Sequence, residues 1–164
     1  MSEQENELIN AASREDIDQW VAKYPAEQKQ SAVMAALRIV QDQHGGWLTT
    51  ERMDAVADYL DMDKIHVYEV ATFYSMYEHK PVGKHKICVC TNISCMVCGS
   101  GNIVDHLQDK LNIKMGETTE DNRFTLKEVE CLGACSGAPM MQIGEHYYEN
   151  LDAEKIDSIL DDLN

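Results

Sequence analysis

The chain has 164 residues, 44% of them apolar, with 29 Asp and Glu against 14 Lys and Arg and a formal net charge of −15. This length suits one domain or two small ones, and the apolar fraction excludes a disordered chain. The acidity excludes a nucleic-acid binder, which needs a basic face, and disfavours anionic membrane surfaces.

No apolar run reaches the roughly 20 residues that span a bilayer. The start, Met1-Ser2-Glu3-Gln4-Glu5-Asn6-Glu7, lacks the basic and apolar regions of a secretory signal and the arginines of a transit peptide. The chain is therefore expected in the cytosol. There, six cysteines argue for metal ligation or redox chemistry rather than a disulfide framework. The acidity reads first as solubility and second as attraction to a basic partner.

Residues 1–12 read as a solvated tail. Ser13, with Asp16 three residues on, suggests a helix N-cap, and Ile17, Trp20, Val21 and Tyr24 follow at helical spacing. Pro25 ends this helix and can open the next. Val33, Leu37 and Val40 mark a second helix, stopped by His44-Gly45-Gly46. Trp47 and Leu48 are expected to pack back onto the bundle. Thr50 caps a third helix bearing Met53, Val56, Ala57 and Leu60. Asp63 caps a fourth, with Val67, Val70, Tyr74 and Tyr77 inward. Phe73, Tyr74 and Tyr77 read first as core packing and second as a partner-facing surface. These amphipathic stripes need one another for burial, which predicts a small helical bundle.

Pro81-Val82-Gly83 breaks the pattern, which places the domain boundary between residues 1–82 and 83–164. From Lys86 the period changes to two. Ile87-Cys88-Val89-Cys90 reads as a buried strand that delivers Cys90 to its end, with Cys88 on the same face and one step deeper in the core. Asn102 to Asn112 reads as a helix, and Gly116 to Asn122 as a polar loop. Phe124, Leu126 and Val129 predict a second strand running into Cys131. Pro139 to Ile143 predicts a third, Gly144-Glu145 a tight turn, and His146 to Glu149 a fourth. Asp152 caps a last helix bearing Ile156, Ile159, Leu160 and Leu163. The order β–α–β–β–β–α makes this an α+β chain, a helical bundle followed by a layout close to thioredoxin.

Two short stretches carry the chemistry, Cys90-x4-Cys95 and Cys131-x3-Cys135. A [2Fe-2S] cluster has two irons, each taking two protein thiolates, so each loop can serve one iron. Gly133 and Gly137 allow close backbone approach, and Ala134, Ser136 and Ala138 keep that approach open. Two rival assignments stand beside this one. Cys90, Cys95 and Cys98 with one of Cys131 or Cys135 match the plant-type ferredoxin spacing, which leaves one cysteine of the glycine-rich loop without a role. A structural zinc would use the same thiols, but zinc knuckles are usually Cys-x2-Cys, a spacing found only at Cys95–Cys98. The six histidines show no paired metal spacing, and no phosphate-binding loop is present.

Several motifs together resemble a known family. They are Val67-Tyr68-Glu69-Val70-Ala71-Thr72-Phe73-Tyr74-Ser75-Met76-Tyr77, Lys80-Pro81-Val82-Gly83-Lys84, the Cys90-x4-Cys95 loop, Glu130-Cys131-Leu132-Gly133-Ala134-Cys135, and Ala138-Pro139-Met140. The family is the small [2Fe-2S] subunit of respiratory complex I, the NADH:quinone oxidoreductase. The resemblance implies a thioredoxin-like ferredoxin domain behind a helical bundle. It implies one [2Fe-2S] cluster on Cys90, Cys95, Cys131 and Cys135, with Cys88 and Cys98 outside the ligand set. It implies docking onto the subunit that binds flavin mononucleotide and NADH, with electron exchange between the cluster and that flavin. The expected place is the cytoplasm, peripheral to the inner membrane through the complex, or the matrix side in an organelle. The same module occurs in NAD-linked hydrogenases and formate dehydrogenases.

Overall fold

The computed structural model describes residues 8–163. The chain divides into two compact units, Met1–Pro81 and Val82–Asn164.

The first unit is helical. Helix α1 spans Ala11–Val21, a 3-10 segment Ala26–Ala32, α2 Val33–Gln43, α3 Thr50–Leu60 and α4 Lys64–Phe73. Residues 1–7 of the expected tail lie outside the described residues, but the tail does not extend to residue 12. Ile9 is buried, and the N-cap of α1 is Asn10, whose side chain accepts from the Ser13 N–H at 2.8 Å. Ser13 is itself buried one turn inside. Asn caps as well as Ser, so composition alone did not separate them. The third helix is likewise capped one residue early, by Thr49, whose hydroxyl accepts from the Arg52 N–H at 3.3 Å. Helix α1 ends at Val21, and Tyr24 lies beyond it, exposed.

Ile17, Leu37, Val40, Leu48, Val56, Leu60 and Val67 form one buried core. Leu48 returns to it as expected, held by its N–H donating to the Glu78 carbonyl at 2.7 Å. Helix α4 stops at Phe73 rather than running through Tyr77. The aromatic trio therefore splits. Tyr77 turns back into the core and donates to the Met34 carbonyl at 2.8 Å, whereas Phe73 is 80% exposed and Tyr74 is exposed.

The second unit holds β1 (His85–Cys90), α5 (Ile93–Val97), α6 (Ser100–Leu111), β2 (Phe124–Val129), β3 (Met141–Ile143), β4 (His146–Tyr148) and α7 (Ala153–Asp162). The short helix α5 is not among the expected elements. The strands form one sheet in the order β2-β1-β3-β4. β1 and β2 are parallel, with Ile87 opposite Leu126 and Cys90 opposite Val129. A parallel pair needs a crossover connection, which α5 and α6 supply. β3 runs antiparallel to β1, and β4 antiparallel to β3 through the turn at Gly144-Glu145. Ile87, Val89, Leu126, Met141 and Ile143 form a core with Ile103 and Leu107 of α6 and Ile156, Ile159 and Leu160 of α7.

Cys88 corrects one expectation. It is half-buried rather than deeper in the core, because strand side chains alternate and the packed face is the one bearing Ile87 and Val89. Its cross-strand neighbours are the polar Lys127 and Gln142.

Candidate metal centre

Register decides where the cysteines go. β1 and β2 are parallel and aligned so that Cys90 faces Val129. Both strands therefore end at the same edge of the sheet. β1 leaves into Cys90–Cys95, and β2 leaves two residues later into Cys131–Cys135. β3 begins at this edge as well, and the Cys90 N–H donates to the Met140 carbonyl at 3.2 Å. The two loops, distant in sequence, meet because of the parallel pairing.

Cys90 and Cys95 are buried, 2% and 1% exposed, and pack around Met140 with Leu132, Ala134 and Ala138 against them. Cys95 comes from α5, whose first turn is capped by Asn92, its Oδ1 accepting from the Ile93 N–H at 2.9 Å. Burial pushes the Cys95 thiol up to about 11. Its hydrogen bond with Cys90 and the charges of Cys90 and Cys135 add to this, against a lowering contact with the Met140 backbone. A cation beside such a thiol reverses the preference, because a metal-bound thiol is deprotonated outright.

Cys131 and Cys135 are exposed, and their sulfurs lie 3.5 Å apart. Two thiolates on one tetrahedral ion, at a metal–sulfur distance of about 2.3 Å, stand about 3.8 Å apart. The second pair is thus close to the spacing that a single iron requires. The Gly133 N–H donates to Cys131 Sγ at 3.4 Å, the kind of amide–sulfur bond that tunes iron–sulfur centres. Gly133 has φ +83°, a left-handed conformation that a side chain resists. Gly137 has a different reason to be glycine, because a Cβ there would run into the Glu149 side chain. The loop is braced from β4, where the Tyr147 hydroxyl donates to the Leu132 carbonyl at 2.9 Å. Further along it, the Asn150 N–H donates to the Gly137 carbonyl at 2.6 Å.

The structure thus brings Cys90, Cys95, Cys131 and Cys135 to one edge, with Cys95 in contact with Cys90 and within electrostatic reach of Cys135. Cys98 is the exposed C-cap of α5, and Cys88 lies two residues back along β1. Among the described residues, no three His, Cys, Asp or Glu side chains converge on a single-ion site. An all-thiol donor set, one pair at single-iron spacing, an amide aimed at sulfur and a loop kept small all fit a [2Fe-2S] cluster. The sequence assigned no role at the site to Asn92, Glu130 or Tyr147, although Glu130 opens one of the motifs. Each is an ordinary polar residue whose partner is set by sheet register and lies 15 or more residues away.

Comparisons with known proteins bear on the family and the fold. Three relatives are each named as the E subunit of an NADH-quinone oxidoreductase, that of Rhizobium meliloti being numbered E 2. The Rickettsia felis protein is 48% identical over 144 residues, 88% of this chain and 86% of the relative. The Rickettsia bellii protein is 47% identical over 154 residues, 94% and 90% of the two chains. The Rhizobium meliloti protein is 45% identical over 148 residues, 90% and 86%. Among solved structures, an NAD+-reducing [NiFe]-hydrogenase in the air-oxidised state matches with a TM-score of 0.66 at 20% identity. That match covers 77% of this chain and 22% of the hydrogenase chain, and it shows the likeness of fold. A family model described as thioredoxin-like [2Fe-2S] ferredoxin matches residues 17–164. This chain belongs to the thioredoxin-like [2Fe-2S] ferredoxin family.

Proposed function

We propose that this chain is the small electron-transfer subunit of an NADH-quinone oxidoreductase, carrying one [2Fe-2S] cluster on Cys90, Cys95, Cys131 and Cys135. The observation that carries the reading is the meeting of two cysteine pairs at one edge of the sheet, one of them at a sulfur separation of 3.5 Å. The relatives' shared name supports the complex. When bound, such a cluster takes up and returns one electron.

The chain's own residues divide the remaining work. Cys90 and Cys95 close one side of the site from water, while Cys131 and Cys135 open the other to the surface. Electrons pass through that open side to and from the flavin of a partner subunit that binds flavin mononucleotide and NADH. Ile93, Met96 and Val97 support a docking face there, because α5 exposes these apolar side chains beside Cys95. Residues 1–82 serve as a helical domain and 83–164 as the redox domain, in keeping with the two compact units. The chain works in the cytoplasm, peripheral to the inner membrane through the complex. Among the described residues, no helix is long and apolar enough to cross a membrane.

Metal and sulfide analysis of the purified chain tests the cofactor. The expected result is two irons, two acid-labile sulfides and an electron paramagnetic resonance signal on reduction. Zinc in place of iron sinks the reading. Cys131→Ser is expected to abolish the signal and Cys98→Ser to leave it. The reverse outcome selects the plant-type ligand set.

A further inference from the structure

Beyond the ligands, side chains join the two loops to each other. Asn92 lies between Cys90 and Cys95, and its Nδ2 donates to Glu130 Oε2 at 2.5 Å. Glu130 immediately precedes Cys131. Beside this bond, Thr91 Oγ1 donates to Glu128 Oε1 at 2.7 Å. Both bonds lie near the last ladder pair, Cys90 and Val129, where the two backbones begin to diverge. The Thr91 N–H still reaches the Val129 carbonyl at 3.3 Å. Past that point the sheet no longer sets the spacing of the loops.

Asn92 uses both ends of its amide. Its Oδ1 caps α5, the helix that carries Cys95, at 2.9 Å from the Ile93 N–H, while its Nδ2 holds the carboxylate next to Cys131. One side chain therefore links the orientation of Cys95 to the position of Cys131. A hydrogen bond to a charged acceptor is shorter and roughly twice as strong as a neutral one. On an exposed surface it adds little to global stability. Its leverage is local, since cofactor ligands must be held to within a fraction of an ångström.

We propose that Asn92 and Glu130 form a latch that sets the two ligand loops in register, with Glu130 acting through Asn92 as a positioning residue for the cluster. The proposal rests on the four-cysteine assignment above and adds residues outside it.

A donor–acceptor swap in the full-length holoprotein tests it. Asn92→Asp keeps an acceptor for the Ile93 N–H but sets a carboxylate against Glu130. Adding Glu130→Gln supplies an amide that donates to the new carboxylate, so the bond returns with reversed polarity and the wild-type net charge. The readouts are the rate of cluster loss to a chelator, followed by visible absorbance, and the line shape of the reduced cluster's paramagnetic resonance signal. Asn92→Asp is expected to lose its cluster roughly tenfold faster, as outer-shell partners commonly do when removed, and to broaden the signal. The double variant is expected to restore both. A wild-type rate in Asn92→Asp, or no recovery in the double variant, overturns the latch. Glu130→Ala leaves the α5 cap intact and is expected to show the same acceleration, and a wild-type rate there overturns the latch even if Asn92→Asp does not fold. Retention of the cluster in Cys131→Ser overturns the ligand assignment instead, so the two failures are distinguishable.

Discussion

At the scale of single residues, the second cysteine loop depends on two glycines for different reasons. Gly133 sits at φ +83° with open space around its Cα, so an added methyl group costs only the left-handed backbone conformation. Gly133→Ala is expected to cost about 1–2 kcal/mol in urea unfolding. Gly137 has no such backbone constraint, but a Cβ would meet Glu149. Gly137→Ala is expected to cost about 1–3 kcal/mol and to displace the Glu149 side chain. Tyr77 supplies a pH dependence. Burial pushes its hydroxyl up to about 12, and the hydroxyl donates to the Met34 carbonyl. A group whose folded-state pKa is raised stabilises fully below its unfolded value, here the ordinary 10.0, and that stabilisation is lost as pH rises towards 12. Alkaline titration by circular dichroism is expected to show a loss of helix over this window that Tyr77→Phe makes shallower.

At the scale of elements, each unit has its own buried cluster, and the four cysteines belong to the second. Leu37 sits in the middle of α2, fully buried in the helical core. Leu37→Ala is expected to lower stability by about 2–5 kcal/mol while leaving the native cluster spectrum unchanged, because its core contains none of the proposed ligands. A changed spectrum would show that the helical unit shapes the metal site. In the second unit, α6 and α7 are tied by Asp157, which accepts from His106 Nε2 at 2.9 Å and lies 3.2 Å from Lys110 Nζ. These contacts, His106 first, hold the Asp157 carboxyl below its ordinary range. Their support is present above pH 3.8 and is lost as the pH falls below it.

At the scale of the whole molecule, a strongly acidic chain exposes a small apolar face on the helix that carries Cys95. Ile93, Met96 and Val97 are all more than half exposed on a helix only five residues long. Such a face is costly to leave in water and suits a partner. Val97→Glu is expected to reduce co-purification with the proposed flavin-binding partner while leaving iron content and the paramagnetic resonance signal intact. Full co-purification with that substitution would move the docking face elsewhere.

The sequence by itself determined a good part of this protein. Hydrophobic spacing located the helices of the bundle, because burial of a stripe demands a period near 3.6. Alternation located the strands, and the two cysteine spacings pointed to thiolate metal chemistry while leaving rival ligand sets open, because thiolate donors and small neighbours are local requirements. Local signals were weaker at boundaries. Asn10 and Thr49 took the caps expected at Ser13 and Thr50, and the five residues of α5 were too few to show a period. Only the tertiary structure decided what meets what. Parallel pairing of β1 with β2 put Cys90 beside Val129, and so brought both cysteine loops to one edge and Asn92 against Glu130. The same packing turned Cys88 away from the core and left Phe73 in solvent while burying Tyr77. Register and facing are properties of pairs of segments distant in sequence, and no single stretch of the chain encodes them.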